Sequence, residues 1–269
     1  MNEIRTLFLL FVLYSFLGWT AESIFCSIPA RKPINRGFLA GPFCPIYGAG
    51  AMLVAAVLTP LKNHVFLLFL TSVLLTSAVE YATGFLLETL FHTKYWDYSD
   101  HRFQLHGRVC LQNSILFGLM SVIAVYFLHP FLLSWVERIP DQGSRWIAGG
   151  LFLYFLTDTT LSVLEVTRLN GKLDELQQVL DEIKDKAHTA RVETLEVLQE
   201  TIASHLDDST KARLRTLYEQ KERLESDFHL FQRRIISAFP TMHSVKISNE
   251  SLLRIRELLQ NYSKFIHRK

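Results

Sequence analysis

The first residues in this chain that could do chemistry are acids set inside apolar runs. Glu22 lies in the run Ile4–Cys26, Glu80 and Glu88 in Val65–Phe91, and Asp158 and Glu165 in Trp146–Val166. An acid within a membrane span costs about 2.5–3.5 kcal/mol to insert, so it faces a protein interior, a partner or water rather than lipid. Spacing puts these acids on common faces: Glu80, Gly84 and Glu88 at i, i+4, i+8; Asp158, Ser162 and Glu165 at i, i+4, i+7; Trp19 and Glu22 at i, i+3. At about 1.5 Å per residue, Glu22 lies roughly 27 Å and Asp158 roughly 20 Å from the outer ends of their runs. Glu80 lies at a similar depth, and Glu88 and Glu165 sit near the inner boundary. Such clusters serve packing, transport or acid–base chemistry.

Two unusual connections lie at the level of these acids. The first is INRGFLAGPFCPIYGAG (Ile34–Gly50), with one fixed charge at Arg36, beside Asn35, and with Pro42 and Pro45 among glycines and apolar or aromatic residues. A solvated tether would be polar, and a span would not carry such breaks. Broken backbone at membrane depth is tolerated only where protein buries it or it lines a cavity. The reading is a bent segment packed over the inner helix ends. The second connection, His92–Gly118, sets Asp97 between Tyr95, Trp96 and Tyr98, and places His106, Arg108 and Cys110 at the mouth of the next run. Trp and Tyr suit an interfacial belt, but the acid, the histidine and the arginine between them need another reason. The expectation is a polar pocket with Glu22, Asn35, Arg36, Tyr47, Glu80, Glu88, Trp96, Asp97, Tyr98, His106 and Arg108 as its substrate-binding candidates. Within it, Glu22, Glu80, Arg36 and Asp97 are expected to form one network, because unpaired charges away from water are costly.

Elements that could position these groups follow from composition. The chain has 269 residues, 49% hydrophobic, with a formal net charge of +2, which gives no basic signature for nucleic acid. Through Arg168 it holds 11 Lys/Arg and 10 Asp/Glu, and beyond it 17 and 16. This is a transmembrane domain (1-168) joined to a charged one (169-269). Five runs approach the roughly 20 apolar residues of a spanning helix: Ile4–Cys26, Ile46–Leu61, Val65–Phe91, Ser114–Val136 and Trp146–Val166, the second being short and glycine-rich. The first is too long for a signal peptide and lacks a basic leader, so it reads as a retained span. Arg31, Lys32 and Arg36 in one connection and Lys94, Arg102 and Arg108 in another place those loops in the cytoplasm, with the N-terminus outside and the charged domain inside a plasma membrane.

The blocks GWTAE (Gly18–Glu22), NRGFLAGPFCPIYGAG (Asn35–Gly50), WDYS (Trp96–Ser99) and GRVCLQNSILFG (Gly107–Gly118) resemble the putative ABC-transporter type IV membrane proteins, a bacterial family related to poorly characterised animal transmembrane proteins. The resemblance covers roughly the first 135 residues. It implies a small multi-helix membrane protein with a permease role, for which any ABC function needs a separate ATP-binding subunit. Its pattern marks Trp19, Glu22, Asn35, Arg36, Gly37, Gly41, Pro42, Pro45, Tyr47, Gly48, Trp96, Asp97, Tyr98, Gly107, Arg108 and Ser114. The chain departs from it at Phe117, where relatives often have Trp, and in its long charged tail.

Other chemistries find no support. The chain contains no G-x-x-x-x-G-K-[ST], so it is not its own ATPase. Neither G-x-S-x-G nor H-E-x-x-H occurs. Cys26, Cys44 and Cys110 read as free thiols in a reducing cytoplasm, and their spacing with His106 is not diagnostic of a metal. No metal or cofactor is therefore expected. Acid–base catalysis by Glu or Asp near His106 stays open, with the catalytic residues unknown.

The tail carries an a/d pattern at Leu173, Leu176, Leu180, Ile183, Ala187 and Ala190. A break at His205–Thr210 follows, then Leu214, Leu217, Lys221, Leu224, Phe228, Phe231 and Ile235, with Pro240 closing the unit. This is an antiparallel hairpin or a longer coiled coil, so 173-235 is the segment for a homo-oligomer or a helical partner. A third helix after Ser248-Asn249 would align Leu252, Ile255, Leu259, Tyr262 and Ile266. The expected class is all-α: a polytopic membrane protein of about five transmembrane helices with a cytoplasmic helical tail. The expected function is that of a transporter or permease-like component in a lipid bilayer. A scaffold or regulator acting through the tail, and an intramembrane lipid-modifying enzyme, are the alternatives.

Overall fold

The computed structural model describes residues 2–31, 33–189, 208–227, 230–239 and 241–244. Lys32, Ala190, Phe228, Pro240 and the expected third tail helix lie outside the described residues. Among the described residues there are seven helices: α1 (Glu3–Ala30), α2 (Pro45–Leu58, extended by one 3-10 turn, Thr59–Leu61), α3 (Val65–Phe91), α4 (Leu111–Glu137), α5 (Asp141–Thr189), α6 (Asp208–Ser226) and α7 (Leu230–Ala238). Four of them, α1, α3, α4 and α5, are long and apolar enough to cross a bilayer. The protein is therefore a multi-pass membrane protein. Large side chains such as Phe66, Leu74, Phe127 and Trp146 are exposed, as a lipid-facing surface requires.

The expected run Ile46–Leu61 is a shorter apolar helix, Pro45–Leu61, about 25 Å long at 1.5 Å per residue against a hydrocarbon core of about 30 Å. The bundle thus has four long apolar helices and one short one. The short helix begins at Pro45. Proline is well suited to that first position, since its missing N–H has no helical partner there.

Two compact units divide the chain: residues 1–164 with 237–242, and residues 165–236 with 243–269. In the first, helices pack through small residues, because lipid tails supply no hydrophobic drive between helices. A Cβ on Gly18 of α1 would stand 2.3 Å from the Tyr47 Cβ of α2, and one on Gly48 of α2 would stand 2.2 Å from Ser15 Oγ and 2.7 Å from the Phe11 carbonyl. Each helix thus offers a glycine to the other at the crossing. Gly118 of α4 packs likewise on Val73 and Phe69 of α3. Within α4, residues 124–128 form a π turn just ahead of Pro130. The proline lacks an N–H and its ring crowds the preceding turn, which the wider winding relieves. His129 there meets Tyr14 Oη of α1 at 3.0 Å.

In the second unit, the later part of α5 and α6 run antiparallel. Glu182 pairs with Arg213, Glu175 accepts from Gln220, and Lys172 pairs with Asp227, while Val179 packs on Leu217.

A pair of substitutions in α2 tests the glycine crossing. Gly48→Ala should destabilise the detergent-solubilised protein by about 1–3 kcal/mol, through overpacking. Gly50→Ala, where an added Cβ meets nothing within 4 Å, should be neutral or stabilising by up to about 1 kcal/mol. Equal thermal midpoints for the two variants would contradict close packing at Gly48.

Candidate functional site

The site is built around a non-helical leg, residues 34–44, which bends at Phe38–Pro42 and lies along α1, running opposite to it. Ile34 N–H donates to Ser27 Oγ at 2.9 Å, Arg36 N–H to Ser23 Oγ at 3.3 Å, and Cys44 N–H to the Ser15 carbonyl at 2.9 Å. From Ser27 to Ser15 is about 18 Å of helix. Helix geometry cannot satisfy the leg's own polar groups, so side chains do. Asn35 Oδ1 accepts from Gly37 N–H at 3.1 Å and from Trp19 Nε1 at 2.7 Å, while its Nδ2 donates to the Ala40 carbonyl at 3.1 Å. Asp158 of α5 accepts from Ala40 N–H with one oxygen and from Gly41 N–H with the other, both at 3.0 Å, and Ser162 Oγ lies 3.2 Å from the Ala40 nitrogen. Phe43 N–H closes on the Gly41 carbonyl at 2.9 Å across Pro42, an inverse γ-turn that the proline's fixed φ favours. A Cβ on Gly41 would meet Tyr154 Oη at 1.8 Å and Asp158 Oδ2 at 2.9 Å, so a larger residue there must displace the tyrosine.

The leg's apolar side chains explain its greasy composition. Leu39 is buried against Val12 and Phe155. The Phe43 ring lies 4.8 Å from that of Phe155 and 6.2 Å from that of Phe16. The leg is a packed layer between α1 and α5.

Where the leg departs from the helix ends, charges appear. Arg36 Nε donates to Glu22 Oε1 at 3.1 Å, and both side chains are largely shielded. Tyr47 of α2 hydrogen-bonds Glu22 as well. A further Arg36 N–H donates to the Ala238 carbonyl, and the guanidinium lies 4.7 Å from the Phe239 ring. Phe239 in turn meets Tyr95 edge to face at 5.3 Å. Ala238 and Phe239, which belong to this first unit, thus shield Arg36.

The second connection makes a separate cluster. A hairpin pairs Gln104 with Cys110 and Leu105 with Val109. His106 and Gly107 both take positive φ, 54° and 69°, as the central residues of a type I′ turn do. A Cβ on Gly107 would meet Asp97 Oδ1 at 2.3 Å. That oxygen accepts from Ser99 N–H at 3.0 Å and Ser99 Oγ at 2.5 Å, and Tyr98 N–H donates to the Gly107 carbonyl at 2.8 Å. Trp96 Nε1 donates to the Arg108 carbonyl at 3.0 Å. WDYS and GRVC therefore clasp each other. Arg108 then reaches α3, where its Nε and Nη2 donate to Glu88 Oε2 at 2.9 and 2.6 Å and its Nη1 to Tyr81 Oη at 3.1 Å. Tyr81 also meets His106 Nδ1 at 3.0 Å. An open cleft of about 530 Å³ is lined by Tyr81, Lys94, Ser99, Gln104, His106, Gly107 and Arg108.

Between the two clusters stands Glu80 of α3, buried, with one carboxylate oxygen hydrogen-bonded by Tyr98. Burial and the neighbouring Glu80 push the Tyr98 phenol well above its usual range, so it stays a hydroxyl donor; burial does the same to Tyr95. Asn113 also hydrogen-bonds Tyr98.

Of the network expected of Glu22, Glu80, Arg36 and Asp97, Arg36 pairs with Glu22, Glu80 lies beside Glu22 and takes Tyr98 as its donor, and Asp97 accepts from Ser99 of its own loop. Glu88 and Arg108 form a second ion pair. Residues that the site expectation omitted include Tyr81, which joins Arg108 to His106, and Asn113. Also omitted from it were Asp158 and the serines at 23, 27 and 162. Their signal in the sequence was hydroxyls and an acid facing a segment short of helical hydrogen bonds. Among the described residues the three cysteines are free thiols, and no three His, Cys, Asp or Glu side chains converge as a metal site would require.

Residues 9–163 match the model of the family described as Putative ABC-transporter type IV. No curated protein and no solved structure matches the chain.

If Asp158 holds the leg, Asp158→Asn should lower thermal stability in detergent by about 1–3 kcal/mol, because one backbone N–H then faces an amide NH2. Ser162→Ala, which leaves Asp158 on Ala40, should cost under about 1 kcal/mol. An Asp158→Asn protein as stable as the parent would contradict that role.

Proposed function

The chain belongs to the putative ABC-transporter type IV family, and from that premise we propose that it is the permease-like membrane component of a transport system whose ATPase is a separate polypeptide. The observation that carries this reading is the leg. Transporters place substrate and ion sites where helices give way to broken backbone inside the bundle, and the Glu22–Arg36 pair sits where residues 34–44 interrupt the helices. The sequence without a phosphate-binding loop supports the separate ATPase. In this reading Arg36, Asn35, Tyr47 and Trp19 form the polar lining on the first connection. Tyr81, His106 and Arg108 form it on the second, where the cleft opens.

The distribution of Lys and Arg supports an outside N-terminus, with both connections and the tail in the cytoplasm. Residues 1-168 then act as the membrane domain and 169-269 as a helical coiled-coil domain. A regulatory role for the tail has a specific observation in its favour: the carbonyl of Ala238 and the ring of Phe239 occupy the Arg36 guanidinium. An anionic group could reach Arg36 only after Ala238 and Phe239 move aside.

Purification of the tagged full chain from its native membrane in mild detergent should yield a complex that hydrolyses ATP, and a fluorescent reporter after Lys269 should light the cytoplasm. A chain that purifies without an ATP-binding subunit and without ATP hydrolysis would contradict the permease reading. A reporter active only after export would contradict the topology.

A further inference from the structure

We propose that Glu80 is a reversible proton-binding site inside the helical bundle, with Tyr98 and Glu22 as its polar neighbours. The proposal stands independently of the transport reading.

Glu80 is 7% exposed. Tyr98 hydrogen-bonds one of its oxygens, while the other, Oε2, is buried without a partner. A carboxylate in that position should carry a cation, yet neither nearby arginine is available. Arg36 is engaged by Glu22, the Ala238 carbonyl and the Phe239 ring, and Arg108 by Glu88 and Tyr81. Among the described residues, no lysine or arginine makes an ion pair with Glu80. The groups facing it are the Tyr98 hydroxyl from the second connection and the Glu22 carboxylate from α1, the latter shared with Arg36 and Tyr47. One further step out, Tyr98 faces Cys110 and Asn113, and Tyr47 faces Cys44.

An ionised Glu80 would hold an unsolvated oxygen beside a second acid, an arrangement that burial away from water disfavours. Binding one proton removes that charge and needs no other ligand. A metal ion would need several oxygen ligands, as hard cations do, and among the described residues no three His, Cys, Asp or Glu side chains converge on one. The chemistry is simple protonation: the carboxylate takes a proton from solvent and returns it, and no other bond changes. Glu22, the acid beside Glu80, is a quarter exposed at its side chain.

The test uses the full chain in lipid nanodiscs. Infrared difference spectra between neutral and alkaline pH should show the carbonyl stretch of a protonated carboxylic acid in the parent, lost in Glu80→Gln. Dicyclohexylcarbodiimide, which attacks protonated carboxyls in apolar surroundings, should label Glu80 at neutral pH and lose that labelling at alkaline pH. Tyr98→Phe should keep the label and shift the acid stretch to higher frequency, as a lost hydrogen bond requires. It serves as the working variant if Glu80→Gln fails to fold. A parent with neither acid band nor adduct overturns the proposal. So does an adduct on Glu22 in place of Glu80, or sodium protecting Glu80 from the reagent at fixed pH.

Discussion

Everything in the first unit answers to one constraint: the backbone N–H groups of residues 34–44 must find acceptors between apolar helices. A helix satisfies its own donors, and an extended chain cannot. The sequence meets the demand in three ways. Prolines at 33, 42 and 45 remove donors outright. Ser23 and Ser27 on α1 and Asp158 and Ser162 on α5 supply acceptors. The Ser15 carbonyl takes the last donor before α2 begins. Asp158 is thereby an acid in an apolar helix with a structural task, holding two successive N–H groups with its two oxygens.

Once polar atoms are drawn to this depth, charge can follow. Glu22 and Arg36 pair at the mouth of the leg, and Glu88 and Arg108 pair beneath the hairpin of the second connection. Neighbours brace each pair: Asn35 and Trp19 around the first, Trp96 and Gly107 around the second. All of these residues fall inside residues 9–163, which match the family model. Helix packing follows the same economy of space, with Gly18 and Gly48 bringing α1 and α2 close enough for the leg to bond to both α1 and α5.

Much of this was legible in the residues. Apolar run lengths marked the four long helices, and the glycines and prolines of Ile34–Gly50 announced a break in helical structure. The acids and aromatics of the two connections marked the polar end of the bundle. What spacing could not convey was partnership. Period 3.6 places Glu80 and Glu88 on one face, but only the tertiary fold gives Tyr98 to the first and Arg108 to the second. Asp97 looked like a pocket acid, although the positive φ of Gly107 and the nearness of Ser99 give it a local task. The run Ile46–Leu61 was legible as an apolar helix, and the structure gives Pro45–Leu61. Ala238 and Phe239 carry no motif that would announce their burial beside Arg36.

The most direct measurement of the central claim is amide hydrogen exchange across residues 34–44 of the full chain in lipid nanodiscs. If side chains of α1 and α5 hold the leg, the amides of Ile34, Arg36, Ala40, Gly41 and Cys44 exchange as slowly as those of the middle of α1, even though no helix contains them. Exchange at the rate of an unstructured peptide over this stretch, beside a protected α1, would contradict the account.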